Sequence, residues 1–234
     1  MAVEVRRVEK IKVERHSLTF RILHWIIVIE GIILGLTGIS LSEYLDMNFI
    51  NLGMARSIHI VTGLAFTASA WLFLYYFIVS GEYKWFGLRR IPYGIDYLFQ
   101  EIRSFFTGAE IEDPIEYDVD RNMYREKVIP TEILAWWIWF ITGVIIISSG
   151  LSLIYPDELM FIHKFWGFVI PDIGGEPMMS TRMIHLLSSG FALAVLIIHV
   201  YSSWIFGMVK SIIYGYRFEK AVYSIKKRIE VLNR

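Results

Sequence analysis

The chain has 234 residues, of which 55% are hydrophobic and 16% aromatic, and its mean hydropathy is +0.49. So apolar a composition is unusual for a soluble domain and indicates a membrane protein. Lys and Arg number 23, as do Asp and Glu, so the net charge is zero and predicts no nucleic-acid partner. Because the chain has no cysteine, disulfides, iron–sulfur ligation and thiolate zinc sites are excluded within it.

Four apolar segments are long enough to cross a bilayer as helices. They run from about 18–41, 57–79, 131–153 and 181–207. The charged, amphipathic residues 1–16 predict a short arm on the bundle or the lipid surface, and not a cleavable signal peptide. We therefore expect an all-α membrane protein, with residues 1–234 forming a single domain built as a four-transmembrane-helix bundle.

Two connections are predicted to carry structure of their own. In the 80–130 loop, apolar residues of the segment 93–106 recur at helical spacing, which predicts an amphipathic helix at the membrane surface. The acidic run 110–120 in the same loop predicts a solvated or partner-facing segment. The 154–180 loop is too apolar for a plain surface loop, which predicts a re-entrant piece or a docking surface for another subunit.

The distribution of basic residues predicts the orientation. All but three of the 23 Lys and Arg residues lie in or beside the N-terminal arm, the 80–130 loop and the C-terminal tail, the exceptions being Arg56, Lys164 and Arg182. The positive-inside rule places these basic regions in the cytoplasm. We expect a multi-pass protein of the cell membrane with both termini inside.

Four histidines fall within the spans, where ionisable side chains are rare and usually functional. With the predicted orientation, His24 lies near the inner end of the first span and His59 near the outer end of the second. The fourth span carries His185 near its outer end and His199 near its inner end. These last two share one helix face and are roughly 21 Å apart along the axis. The histidines therefore pair by depth, His24 with His199 and His59 with His185.

Small residues on the same helix faces favour flat cofactors between the paired histidines. Gly31, Gly35 and Gly38 lie within about 40° of His24 around the first span, and glycine lets a flat macrocycle approach the backbone. Two stacked b-type haems, each held by two histidines, explain all four positions. They would be held non-covalently, since the chain has no C-x-x-C-H motif. Such haems have no open iron position and would transfer electrons, so the chain is expected to be non-catalytic by itself.

Two other classes stay open: a histidine-based metal-ion or proton transporter, and a purely structural membrane anchor. A transporter would favour carboxylates near the bilayer centre, where only Glu30 lies, about 120° around the helix from His24. Glu30 fits proton uptake or a polar helix contact equally. The glycines also fit close helix packing. His16 is expected to be solvated, and His163 to have a structural or interface role.

Charged and aromatic residues at the membrane edges supply weaker site candidates. Three arginines at depths matching the histidines predict either haem-propionate partners or lipid-headgroup anchors: Arg21, Arg56 and Arg182. Three aromatic residues predict either the lining of an inner carrier site or membrane-belt positions: Trp25, Tyr124 and Tyr201.

Together these motifs resemble the four-helix cytochrome b subunits of membrane-bound formate dehydrogenases and nickel–iron hydrogenases. The resemblance rests on Arg21-Ile-Leu-His24-Trp25 with Thr37-Gly38, on Arg56-x-x-His59, and on Arg182-x-x-His185 with His199-x-Tyr201. It implies the two haems with the same pairings. It further implies electron transfer between an iron–sulfur and catalytic partner and the membrane quinone pool, within a hydrogenase, formate dehydrogenase or sulfur-compound reductase type of complex.

The carrier segment departs from the family pattern. Met123–Lys127 keeps the tyrosine and the lysine of that segment but not its amide residues. A methanophenazine-like carrier therefore fits as well as a quinone. The catalytic partner, its substrate and the direction of electron flow are set by subunits that this chain does not contain.

Overall fold

A computed structural model describes residues 9–42, 45, 47, 50–171 and 177–223. Its strands and helices, in chain order, are β1 (Lys10–Glu14), α1 (Leu18–Leu41), α2 (Leu52–Val79), α3 (Ile91–Thr107), β2 (Glu116–Asp118), β3 (Met123–Glu126), α4 (Pro130–Ile154), α5 (Met160–Val169), α6 (Pro177–Ile205), α7 (Val209–Tyr214) and β4 (Tyr216–Val222). Helices α1, α2, α4 and α6 are long and apolar enough to cross a membrane. The four predicted spans are therefore confirmed.

The ends of the spans follow from local sequence. Helix α2 begins five residues before the predicted start, because the side chain of Asn51 caps it by accepting hydrogen bonds from the backbone N–H groups of Gly53 and Met54. Helices α4 and α6 each begin at a proline, a residue favoured in the first turn because it lacks an N–H to satisfy. Helix α6 ends at Ile205, and Gly207 follows in the left-handed conformation that stops a helix.

Contacts within the chain divide it into two compact units. The span unit comprises residues 19–81 and 137–203. The sheet unit comprises the described residues within 1–18, 82–136 and 204–234. The expectation of a single domain over residues 1–234 stays a prediction.

The sheet unit contains a four-stranded sheet in the order β1-β4-β2-β3. Strand β1 pairs antiparallel with β4, from Lys10 opposite Lys220 to Glu14 opposite Tyr216, and β4 pairs parallel with β2. No strand was predicted. Residues 10–14 of the N-terminal arm form β1, and the position of the arm on the bundle or the lipid surface stays a prediction. Residues 1–8 lie outside the described part of the chain.

Three carboxylates of the acidic run 110–120 pair with basic residues of the same chain. Glu112 accepts from Lys220 at 2.9 Å, and Asp113 pairs with Arg217 at 3.3 Å. Asp118 is buried and accepts from the side chain of Arg125 at 3.1 Å. The side chains of Glu112 and Asp113 stay 85% and 54% exposed, as a solvated segment would have them, and only the buried Asp118 departs from that interpretation.

Buried charges join the first strand to the last in the sheet unit. Arg15 is 3% exposed and contacts Glu219 at 3.3 Å and Glu132 at 3.2 Å. Glu219 also pairs with Arg217 at 2.8 Å. Burial raises the pKa of Glu219 above its usual range, and the positive charges of Arg217 and Arg15 oppose that shift. Each charge in this network depends on its partners, because an unpaired charge is costly to bury.

Helix α3 covers the predicted amphipathic segment. Its Gly94 packs so closely on α4 that an added Cβ would lie 2.8 Å from the carbonyl oxygen of Pro130. Tyr97 on the same helix is buried in a core with Ile115 and Ile129. The exposed side near the C-terminal end of the helix is apolar, with Phe105 at 81% and Phe106 at 79% exposure. Contact of this side with lipid stays a prediction.

The apolar 154–180 loop contains helix α5, which a buried histidine ties to the spans. His163 is 1% exposed, with its Nδ1 2.7 Å from the Thr181 hydroxyl and its Nε2 2.9 Å from the Ser152 carbonyl oxygen. It thereby joins α5 to α6 and α4, which is the structural role expected of it. His16, expected to be solvated, is half-buried, and its backbone N–H donates to the Gly215 carbonyl.

Candidate functional site

Two histidine rings from α2 and α6 face each other in the span unit. The ring centroids of His59 and His185 are 6.2 Å apart, and the ring planes are 82° to each other. Imidazole nitrogens bind metals at about 2.0–2.1 Å, so two rings on opposite sides of one metal have centres roughly 6 Å apart. The observed separation therefore fits a single metal between the two rings.

Each of these rings is held by a hydroxyl group from another helix. The Nδ1 of His59 lies 2.9 Å from the Thr37 Oγ1 on α1, and the Nδ1 of His185 lies 3.0 Å from the Ser149 Oγ on α4. Metal-binding histidines commonly use the second ring nitrogen in this way, which sets the orientation of the ring. All four spans thus contribute to one constellation.

The other two span histidines are also brought together. His24 on α1 and His199 on α6 are close enough to interact electrostatically, and both are half-buried. The Trp139 ring on α4 lies edge-on to the His199 ring, with centroids 6.3 Å apart. The Nδ1 of His24 is buried and has no hydrogen-bond partner among the described residues. The two pairs therefore differ in what surrounds their rings.

The interior of the span unit suits a flat group between the histidines. In α2 the only buried residues are Ala55 and Phe77, near the two ends, and in α6 the only ones are Ser180 and Thr181. A helix packed into a core without internal space would bury at least one side chain at every turn. A Cβ added at Gly31 or Gly35 would meet no atom within 4 Å. A set of paired imidazoles suits haem iron, so these residues fit a b-type haem.

The remaining candidates from the sequence lie in different surroundings. Arg56 and Arg182 are exposed, each three residues before a span histidine, and Arg21 is half-buried on α1. Their role as propionate partners stays a prediction.

The three aromatic carrier-site candidates are likewise dispersed. Trp25 is 41% exposed and its ring lies edge-on to the ring of His24, with centroids 5.6 Å apart. Tyr201 is 63% exposed. Tyr124 belongs to the sheet unit, where its ring packs edge-on against Tyr117. A carrier-binding role for these residues stays a prediction.

Of the two roles predicted for Glu30, proton uptake and a polar contact between helices, the structure shows the polar contact. Its Oε1 accepts a hydrogen bond from the Ser69 hydroxyl on α2 at 3.1 Å. Within the described part of the chain, no three His, Asp or Glu side chains form a group that could hold a metal ion.

Sequence reasoning missed Ser149 and Gly150. It cited Thr37 only as part of a motif, and it placed Gly38 on the face of His24, not against His59. A hydroxyl residue followed by glycine occurs in all four spans, at 37–38, 62–63, 142–143, 149–150 and 189–190, so this pattern alone does not single out the two pairs. Nothing local marks these pairs as histidine contacts, because which residues face them depends on how the helices are rotated in the bundle.

Residues 15–211 match the sequence profile of the family described as prokaryotic cytochrome b561. The chain belongs to this family. The membership confirms the all-α membrane bundle and the resemblance to cytochrome b subunits, and it implies a b-type haem. This b561-type cytochrome is therefore a multi-pass membrane protein of electron transport.

The cytochrome is also similar to a curated protein from Methanosarcina mazei, the F420 non-reducing hydrogenase II cytochrome subunit. The two are 27% identical over 205 residues, which cover 80% of this chain and 74% of the relative. The similarity supports a cytochrome b subunit of a hydrogenase-type complex.

Proposed function

We propose that this cytochrome carries electrons across the membrane through two b-type haems, each held by two histidines. His24 and His199 would hold one haem, and His59 and His185 the other. The observation that supports the proposal best is the separation of 6.2 Å between the His59 and His185 ring centroids, with an oriented hydroxyl partner behind each ring. That arrangement has the donor chemistry and the spacing of a two-histidine iron site.

The residues of the chain determine what such haems do. A bound b haem supplies reversible one-electron transfer. Two histidines holding each haem would leave no iron position open for a substrate, so the group would supply electron transfer alone. Because His185 and His199 lie on one continuous helix, roughly 21 Å apart along its axis, α6 sets the spacing of the two centres. Arg21, Arg56 and Arg182 would neutralise haem propionates at the membrane edges.

The partners follow by analogy with the relative, which is named as a hydrogenase cytochrome subunit. We infer an iron–sulfur subunit and a catalytic subunit on one face of the cell membrane. On the other face, a quinone or methanophenazine-like carrier would exchange electrons with the haem held by His24 and His199, near Trp25 and Tyr201. The distribution of Lys and Arg supports placing both termini on the cytoplasmic side.

Haem content of the purified protein tests the proposal. The full chain is expected to show a reduced b-type α-band and two haems per polypeptide. The variants His185→Ala and His199→Ala are each expected to lose one haem and keep the other. His16→Ala, a histidine outside the spans, serves as the matched control and is expected to keep both. A haem-free purified protein, or a His185→Ala variant that alters neither centre, would contradict the proposal.

A further inference from the structure

The same two-residue element occurs on two helices, each time against one histidine of the His59–His185 pair. Thr37-Gly38 on α1 faces His59, and Ser149-Gly150 on α4 faces His185. In both elements the hydroxyl side chain is buried, with Thr37 at 2% and Ser149 at 0% exposure. In both, the hydroxyl oxygen lies within 3.0 Å of the histidine Nδ1.

The hydrogen bonds around the Thr37 hydroxyl determine which nitrogen of His59 carries the proton. Thr37 Oγ1 lies 2.8 Å from the carbonyl oxygen of Ile33, which only accepts, so the single hydroxyl proton is donated there. The hydroxyl can then only accept from the ring, and Nδ1 of His59 must be the donor. The Leu34 carbonyl oxygen, another acceptor, lies 3.3 Å from the same hydroxyl oxygen.

Ser149 on α4 repeats this pattern beside His185 on α6. Its hydroxyl donates to the carbonyl oxygen of Ile145 at 2.6 Å, four residues back, as Thr37 does to Ile33. The Ile146 carbonyl oxygen, three residues back, lies 3.1 Å from the same hydroxyl oxygen. Both rings therefore carry their proton on Nδ1, which leaves the lone pair on Nε2 available for a metal.

The glycines of the two elements let the rings lie directly on the helix backbone. A Cβ at Gly150 would lie 3.0 Å from the Cε1 of His185, and a Cβ at Gly38 would lie 3.4 Å from the Cε1 of His59. A side chain at Gly150 would push the ring of His185 away from the hydroxyl beside it, whereas a methyl group at Gly38 would just touch the ring of His59. The hydroxyl thus fixes the tautomer, and the glycine permits the ring position in which that bond forms.

We propose that Thr37-Gly38 and Ser149-Gly150 are a matched pair of positioning elements that set the tautomer and orientation of His59 and His185 toward one haem iron. The inference rests on the proposed function. Hydrogen bonding at Nδ1 makes an imidazole a stronger donor to a metal, which favours the oxidised iron and lowers its midpoint potential. Because the Nδ1 of His24 has no such partner among the described residues, the elements act on one of the two centres.

Removal of the hydroxyls tests the inference. Thr37→Val and Ser149→Ala keep the shape of the side chains but leave each Nδ1 without its hydroxyl acceptor. Each variant is expected to shift the midpoint potential of one haem to a more positive value and to alter its low-spin ferric spectrum, while the other haem is unchanged. Thr37→Ser and Ser149→Thr restore a hydroxyl and are expected to restore the wild-type potential.

Matched controls separate positioning from general effects on the helices. Thr67→Val removes a hydroxyl that bonds to the Gly63 carbonyl of its own helix, and Ser148→Ala removes one that bonds to the Ile145 carbonyl. Both controls are expected to leave the two midpoint potentials unchanged. Equal shifts in the control variants and in the Thr37 and Ser149 variants would overturn the inference.

The remaining outcomes are distinct from failure of the proposed function. If Thr37→Val and Ser149→Ala bind both haems with wild-type potentials and spectra, the positioning role is refuted while haem binding stands. If a variant loses one haem and the hydroxyl-restoring variant regains it, the inference is supported. If the restoring variant also lacks that haem, the side chain is needed only for folding and the inference is refuted. A wild-type protein without haem would refute the proposed function itself.

Discussion

Replacement of Gly150 with alanine is expected to displace the His185 ring, because the new methyl group would occupy space that the ring edge now fills. The added Cβ would lie 3.0 Å from Cε1 and 3.5 Å from Nδ1 of His185. Carbon atoms in unstrained contact are at least about 3.5 Å apart, so the ring must retreat by about half an ångström. Metal–ligand distances tolerate only about 0.2 Å. The required shift is larger than a metal bond allows.

The same shift weakens the hydrogen bond that orients the ring. The Ser149 Oγ to His185 Nδ1 distance is 3.0 Å, and an increase of about half an ångström takes it beyond the range of a normal hydrogen bond. Such a bond contributes about 1 kcal/mol. Alanine in a helix interior is itself more favourable than glycine by about 1 kcal/mol, so the helix is not weakened. Any loss therefore originates at the ring.

Haem content and redox titration of purified variants measure the effect. Gly150→Ala is expected to lose one haem, or to keep it with an altered midpoint potential. Gly38→Ala, where the contact would be 3.4 Å, is expected to show a smaller change. Gly87→Ala, outside the spans, meets no atom within 4 Å and is expected to behave as wild type. If Gly150→Ala retains both haems at wild-type potentials, close packing of His185 on α4 does not constrain the site.

Two predictions concern parts of the chain away from the paired histidines. Arg15→Met is expected to destabilise the protein by about 3–5 kcal/mol, because it leaves the buried Glu219 charge poorly compensated. Thermal unfolding measures this loss against Lys12→Met, a control at an exposed position. Equal stability of the two variants would refute the prediction. His163→Ala is expected to lower the free energy of unfolding by about 1–3 kcal/mol, because the Ser152 carbonyl loses its ring partner, and to keep both haems. Loss of a haem from this variant would show that His163 belongs to a haem site.

Much of the span architecture is a local property of the sequence. The length of each apolar run and the helical repeat place α1, α2, α4 and α6 within a few residues of their observed bounds. The helical repeat and the predicted depth of each histidine in the membrane also suffice to match His59 with His185. Helices that cross a bilayer run in a common direction, so few pairs of histidines on different helices lie at the same depth. The histidine pairs were therefore accessible before any tertiary contact was known.

The sheet and the hydroxyl–glycine elements were decided by tertiary structure alone. Strand β1 pairs with β4 across nearly the whole chain, Lys10 opposite Lys220, and no local pattern encodes so distant a partner. Gly38 was placed by helix geometry on the His24 face, yet its backbone lies against His59. Ser149 looks like any other hydroxyl residue in an apolar helix. Periodicity determines which residues share a helix face, but the rotation of each helix against its neighbours determines what that face contacts.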